Sequence, residues 1–110
     1  MLAITGHARF FIHQDSIDLR KGFEGLSFIV ERNFHQEVTG GAYFIFINRR
    51  RDRMKVLYWD GDGLAIWYKR LEQGTFQKNK INAGLIERRD FLMLLEGVTP
   101  HRFQKRYRVD

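Results

Sequence analysis

The sequence predicts an α+β fold, a small antiparallel β-sheet of four or five strands packed against one longer and one shorter α-helix. Short apolar runs bounded by turn residues indicate strands, and they dominate the middle of the chain. Apolar residues at helical spacing occupy one stretch before these runs and a shorter stretch after them. The connections between the central strands are as short as in hairpins, which favours antiparallel pairing. No repeat or linker divides the chain, so we expect residues 1–100 to form one domain, followed by a basic tail over residues 101–110.

Five stretches have the composition of strands: residues 9–13, 43–48, 54–59, 64–68 and 75–83, the last being either irregular or a short edge strand. The first four are rich in aromatic and β-branched side chains, which favour extended backbone. Alternation within the third run separates Met54, Val56 and Tyr58 from the residues between them, which predicts two different faces. The sequence DGDG at residues 60–63 has the composition of a tight hairpin turn.

Two stretches have helical spacing. The longer helix is expected to run from residue 15 or 18 to about residue 33, because the aspartate at either position can accept hydrogen bonds from free N–H groups of the first turn. The shorter helix covers residues 88–95, with Gly97 as a C-cap and Pro100 beyond it. The longer helix would bury Leu19, Phe23, Leu26 and Val30 and would expose Arg20, Glu24, Ser27 and Glu31.

Composition excludes several classes of protein. With 110 residues, 44% hydrophobic side chains and 15% aromatic ones, the chain can bury a core of its own. It has no cysteine, which excludes disulfides and thiolate metal sites and fits a cytoplasmic protein. No apolar run approaches the roughly 18–20 residues that cross a bilayer, and the first residues lack the features of a secretory signal. We therefore expect a cytoplasmic protein without membrane contact.

Positive charge is concentrated in the second half of the chain. The net charge is +6, to which residues 1–48 contribute −1 and residues 49–110 contribute +7. Such an asymmetry favours a polyanionic partner, either nucleic acid or an acidic protein surface.

The densest cluster of charge lies between the second and third predicted strands, where Arg49, Arg50, Arg51 and Arg53 surround Asp52. Guanidinium groups gathered at a hairpin tip create a local positive potential that attracts phosphate-rich partners. A solvated turn that only increases solubility is an equally good interpretation of this stretch by itself.

Arg20 and Lys21 fall in the first turns of the predicted helix, where the macrodipole disfavours cations. Such a placement is typical of an anion site, in which free N–H groups and two cationic side chains meet one phosphate. In the alternative, Arg20 pairs with Glu24 one turn further on and Lys21 is solvated. Gly22 and Gly25 in the same helix each cost about 1 kcal/mol relative to alanine. Their spacing predicts a close approach by a strand, by the ring of Trp59 or Trp67, or by the backbone of a partner, with packing inside this chain favoured.

The sequence offers little for catalysis. The DGDG turn lacks what a calcium loop needs at its fifth and sixth positions, which are occupied by Leu64 and Ala65. The histidines have no zinc spacing, and there is no nucleophile motif or phosphate-binding glycine loop. We expect no cofactor, no bound metal and no small-molecule substrate. The aspartates that a metal-dependent nuclease would use also suit caps and turns; they are Asp18, Asp52, Asp60 and Asp62.

Aromatic side chains near lysines and arginines could stack on bases, although most rings in so aromatic a domain must belong to the core. The four that lie close to cations in the sequence are Tyr58, Trp59, Trp67 and Tyr68.

Three motifs, in order, resemble one protein family. Residues 18–26 read DLRKGFEGL, residues 55–63 read KVLYWDGDG and residues 69–76 read KRLEQGTF. With the aromatic strand that ends in an arginine-rich turn, they resemble the second-open-reading-frame proteins (TnpB) of bacterial insertion sequences of the insertion sequence 66 family, over roughly residues 8–97. Two loops differ from the family pattern: residues 38–41 read VTGG where it has Pro-Phe-Ser-Gly, and residues 77–78 read QK where it has Trp-Pro.

The resemblance implies a non-catalytic accessory role in transposition, beside a separate, larger transposase that carries the catalytic residues. The expected partners are DNA, the transposase and other proteins of the same insertion sequence. A protein–protein adaptor that touches no DNA is the main alternative, because arginine and aromatic residues are also frequent at protein interfaces. A metal-dependent nuclease is a less favoured alternative. The residues expected to contact DNA or a partner are all cationic: Arg20, Lys21, Arg49, Arg50, Arg51, Arg53, Lys55, Lys69 and Arg70.

Overall fold

The computed structural model describes residue 4, residues 6–77 and residues 84–95. In this part of the chain, a π-helical turn over Val30–Phe34 extends the first helix. The predicted α+β class is confirmed, and none of the described helices is long and apolar enough to cross a membrane. The strands and helices follow one another as β1 (Phe10–Ile12), α1 (Phe23–Ile29), β2 (Tyr43–Ile47), β3 (Arg53–Trp59), β4 (Leu64–Arg70), β5 (Gly84–Ile86) and α2 (Arg88–Leu95).

The five-stranded sheet is mixed, with the strand order β4-β3-β2-β1-β5. Strands β2, β3 and β4 pair antiparallel as predicted, with Phe44 opposite Leu57. Strand β1 instead pairs with β2 in parallel, with Phe10 beside Tyr43. The difference arises because the chain between β1 and β2 crosses over through α1 and returns in the same direction. One pair of strands therefore departs from the predicted antiparallel arrangement.

Each face of the sheet carries a hydrophobic core, since β2 lies at its centre and all its residues are buried. The face covered by α2 contains Phe10, Ile12, Tyr43, Ile45, Ile47, Met54, Val56, Phe76, Ile86, Phe91 and Leu94. The face covered by α1 contains Leu19, Leu26, Val30, Ala42, Phe44, Phe46 and Leu57. The alternation predicted for β3 is confirmed, because Met54 and Val56 belong to the first core and Leu57 to the second.

Helix α1 begins later than predicted. Its first residue is Phe23, its N-cap is Gly22, and no side chain bonds the free N–H groups of its first turn. The carboxylate of Asp18 binds Arg20 instead of capping a helix. Of the predicted buried face, Leu19, Leu26 and Val30 are buried, whereas Phe23 is 48% exposed. The predictions of a helix start at residue 15 or 18 and of a buried Phe23 were therefore wrong.

The two glycines of this region do not mark a close approach by a ring or another strand. A Cβ atom on Gly22 would meet nothing within 4 Å. A Cβ on Gly25 would meet only the side chain of Lys21, at 3.1–3.5 Å. The predicted packing of a strand or a tryptophan ring of this chain against Gly22 and Gly25 is wrong, because the group closest to Gly25 is a flexible lysine side chain from one turn earlier.

The other predicted elements agree well where the structure describes them. Residues 75–77 are irregular, and strand β5 starts at Gly84, just beyond the stretch in which an edge strand was predicted. Helix α2 has the predicted bounds. Residues 78–83, Gly97, Pro100 and the basic tail over residues 101–110 lie outside the described residues.

Candidate nucleic-acid interface

The arginine turn between β2 and β3 is organised by the side chain of Asn48. Its Oδ1 accepts hydrogen bonds from the backbone N–H groups of Asp52, at 3.1 Å, and Arg53, at 3.0 Å. Its Nδ2 donates to Oδ1 of Asp52 at 2.8 Å, and this bond lowers the pKa of the Asp52 carboxyl. One amide therefore holds both the backbone of the turn and its single acidic side chain.

The backbone of the turn is anchored from a second side by the segment that follows β4. The N–H of Leu71 donates to the carbonyl of Asp52 at 2.7 Å, and the N–H of Phe76 donates to the carbonyl of Arg51 at 2.6 Å. Arg51 adopts a left-handed conformation with φ of 60° and is partly buried, unlike the exposed Arg49 and Arg50. Arg51 thus shapes the turn more than it extends the cationic surface.

Beside the turn lies an open groove of about 500 Å³, which we call the arginine groove. Its cations come from two separate stretches of the chain, Arg20 from the first and Arg49, Arg50 and Arg53 from the second. Ile17, Leu19 and the ring of Tyr68 supply apolar surface; the remaining lining residues are Ser16, Asp18 and Asn48.

Asp18 is the one acidic residue among those lining the groove, and it is already paired. Arg20 donates to it through Nη2 at 2.6 Å and through Nε at 3.0 Å. These hydrogen bonds lower the pKa of the Asp18 carboxyl to about 2. The Arg20 side chain remains 91% exposed, and its other N–H groups are available because a guanidinium has five. The pair that was predicted with Glu24 is replaced by this pair with Asp18.

The pair can be tested by titration. Replacing Arg20 by alanine is expected to raise the pKa of Asp18 from about 2 toward the ordinary value of about 3.9. Because the folded-state pKa is the lower one, the contribution of the pair to stability is present above about pH 4 and lost as the pH falls toward 2. Carboxyl chemical shifts followed by NMR measure both values, and an Asp18 pKa that is the same in the two proteins would contradict the pairing.

Further cations continue from the groove along the α1 face of the sheet. The Lys55 ammonium donates to the carbonyl of Lys21 at 3.0 Å and lies 5.1 Å from the ring centroid of Tyr68. Arg70 lies directly opposite Arg53 in the β3–β4 register. Nε of Arg70 also donates to Glu72 at 3.1 Å, in an exposed ion pair. Lys21, Lys55 and Arg70 therefore extend the positive surface that begins at the arginine groove.

Lys69 does not belong to this surface. Side chains alternate across a strand, so Lys69 lies on the α2 face while Tyr68 and Arg70 lie on the α1 face. Its ammonium donates to the carbonyl of Leu95 at 2.5 Å, at the end of α2. A lysine commonly satisfies the last carbonyls of a helix in this way. The sheet thus separates Lys69 from the other predicted contact residues.

Three residues that organise the groove were not among the predicted contacts. Asn48 before a turn is a recognisable signal, because its side chain commonly bonds backbone groups a few residues on. Asp18 was interpreted as a helix cap. Tyr68 was one of four aromatic candidates, and the structure distinguishes them. Tyr68 is 50% exposed and lines the groove, whereas Tyr58 stacks on Tyr43 at 5.2 Å.

The aspartates of residues 60–63 form a turn, with the N–H of Asp60 donating to the carbonyl of Gly63 at 2.7 Å. Within the described residues, no three His, Asp or Glu side chains are grouped to hold a metal ion.

Comparison with known proteins identifies the family. The family model described as IS66 Orf2 like protein matches residues 8–105. The uncharacterized protein y4jC of Sinorhizobium fredii (strain NBRC 101917 / NGR234) is 28% identical over 100 residues, which cover 89% of this chain and 86% of the relative. The uncharacterized protein y4hO of the same strain is 30% identical over 86 residues, which cover 78% and 75%. No solved structure matches the chain. The resemblance found in the three motifs is confirmed, and the chain belongs to the IS66 Orf2-like proteins, an accessory family of insertion-sequence transposition.

Proposed function

We propose that this protein is a non-catalytic DNA-binding accessory factor of insertion-sequence transposition, which acts together with the transposase of the element. The observation that carries the proposal is the arginine groove. Arg20 and the arginines of the turn come from distant stretches of the chain and converge on one concavity, whose one acidic residue is already paired. A turn that served only solubility would not require a second cationic segment beside it.

The arrangement suits phosphate binding. Guanidinium groups bind phosphate oxygens with paired, directed N–H donors, and each phosphate that is neutralised releases condensed counterions from DNA. Arg49, Arg50 and Arg53 are exposed, and Asn48 fixes the backbone that carries them. Lys21, Lys55 and Arg70 lengthen the surface along the α1 face. The DNA backbone would therefore follow the groove and continue toward α1.

Salt dependence tests this proposal directly. Binding to duplex DNA should weaken steeply as salt increases, with a log–log slope of about −0.9 for each phosphate neutralised. In Arg49→Ala/Arg50→Ala, the slope should become less negative by about 1.8 if each side chain contacts one phosphate. Fluorescence anisotropy over a salt series measures the slope, and a melting curve confirms that the variant is folded.

The matched control is Arg32→Ala/Arg89→Ala, which removes the same formal charge from exposed positions outside the groove. Its slope should remain close to that of the original protein. An equal flattening of the slope in the two double variants would show that net charge matters and the groove does not. An unchanged slope in both would rule out the arginine turn as a DNA contact. If the protein bound no DNA even at low salt, direct DNA contact would be contradicted and the adaptor role would be favoured. Capture of the transposase in the absence of DNA would then support that role.

A further inference from the structure

We propose that the arginine groove receives an unpaired nucleotide, so that the protein prefers single-stranded or locally opened DNA to intact duplex. This inference rests on the proposed DNA-binding function and specifies the form of DNA that the groove accepts.

The first observation behind this inference is the shape and lining of the groove. The phosphates of a duplex lie on its outside, so a protruding or flat cationic surface is sufficient to contact them. This site is instead a concavity of about 500 Å³ with apolar surface from Ile17, Leu19 and Tyr68. Its volume falls within the range of roughly 300–1,000 Å³ that is usual for ligand pockets. Apolar surface adds nothing to phosphate binding, but it can bury a sugar or a base.

The second observation is the position of the Tyr68 ring. It is 50% exposed while it lines the groove, so one part of the aromatic surface is free to contact a ligand. The ring is held in place by cations, because the Lys55 ammonium lies 5.1 Å from its centroid and Nη1 of Arg53 lies 3.4 Å from its hydroxyl oxygen. A half-exposed aromatic ring in a positively charged groove is the arrangement on which unpaired bases stack in single-strand-binding proteins.

The third observation is the distribution of the cations around the groove. Arg20 lines the groove together with Arg49 and Arg50, which come from a distant stretch of the chain. A single strand that enters the groove would meet guanidinium groups from both stretches of the chain, with a base directed toward Tyr68. A duplex would present its phosphates to the same arginines, but its paired bases would stay inside the helix and could not reach Tyr68.

The experiment compares a single-stranded and a duplex oligonucleotide of the same length and sequence at one salt concentration. We expect tighter binding of the single strand. Tyr68→Ala should weaken single-strand binding by about 5- to 150-fold, the usual effect of losing one stacked base, and should change duplex binding by less than about 2-fold. Tyr68→Phe keeps the ring and loses only the hydroxyl near Arg53, so it should retain most of the single-strand preference that Tyr68→Ala loses. Phe28→Ala removes a ring that is 60% exposed outside the groove and serves as the control.

The outcomes separate this inference from the function on which it rests. Equal affinity for the two forms, or equal losses on both in Tyr68→Ala, would overturn the unpaired nucleotide and leave DNA binding in place. Binding of neither form would overturn both proposals. A competition experiment provides a further test, in which either polyglutamate of matched charge or a second single strand displaces the bound single strand. If both competitors were equally effective, the groove would recognise negative charge alone, and the inference would also be overturned.

Discussion

Replacing Phe44 by alanine is expected to lower the free energy of unfolding by about 3–5 kcal/mol. Phe44 is fully buried on the central strand β2. Its ring centroid lies 5.6 Å from that of Phe11 and 5.5 Å from that of Phe34, so the substitution leaves a cavity among rings that cannot easily collapse. Because native proteins are stable by only about 5–15 kcal/mol, the substitution should remove a large part of the total stability.

Urea denaturation followed by circular dichroism measures this loss. Phe28→Ala is the matched control, since the ring of Phe28 is 60% exposed and contacts Arg32 at the surface. The control should lose less than about 1 kcal/mol. A similar small loss in Phe44→Ala would contradict the packing of the α1 face.

Replacing Asn48 by alanine is expected to have the largest effect on the site without touching a charge. The substitution removes three hydrogen bonds, two to the backbone of the turn and one to the Asp52 carboxylate. We expect a loss of about 1–3 kcal/mol in stability. We also expect weaker DNA binding, although every arginine remains, because the turn must then be ordered when DNA binds. Melting curves and anisotropy on the same variant measure the two effects.

Asn33→Ala provides the comparison for Asn48→Ala. The amide of Asn33 contacts Nε2 of His13 at 3.0 Å, away from the arginine groove. Its loss should lower stability and leave DNA affinity unchanged. If Asn48→Ala also retained full affinity, the arginines would bind without any ordering by the turn, and the role assigned to Asn48 would fail.

The central strands and α2 could be predicted because their signals are local. The apolar run of β2, the alternation of β3 and the turn residues between β3 and β4 each specify extended backbone within a few residues. The parallel pairing of β1 could not be predicted in the same way. It depends on a crossover of distant parts of the chain, and β1 itself has only three residues.

The start of α1 was mispredicted because two interpretations of Asp18 compete. An aspartate before an apolar periodic stretch is typical of an N-cap, but Arg20 two residues later offers the same carboxylate a closer, charged partner. The candidate site, too, could be predicted only in part from local sequence. Lys69 and Arg70 were both predicted as contacts, although alternation along β4 could have separated them. The convergence of Arg20 with the arginine turn requires the tertiary structure.

The register of β3 and β4 has a consequence for the free protein. Arg53 and Arg70 face each other directly across the two strands, and like charges in this position repel. This repulsion, which the exposed ion pair of Arg70 with Glu72 reduces, acts at the end of the sheet that carries the arginine turn when no anion is bound. Salt relieves this repulsion in the free protein, but it removes the attraction that holds a bound polyanion. Added salt is therefore expected to weaken both this repulsion within the free protein and the proposed complex with DNA, so that it acts with opposite sign on the stability of the two states.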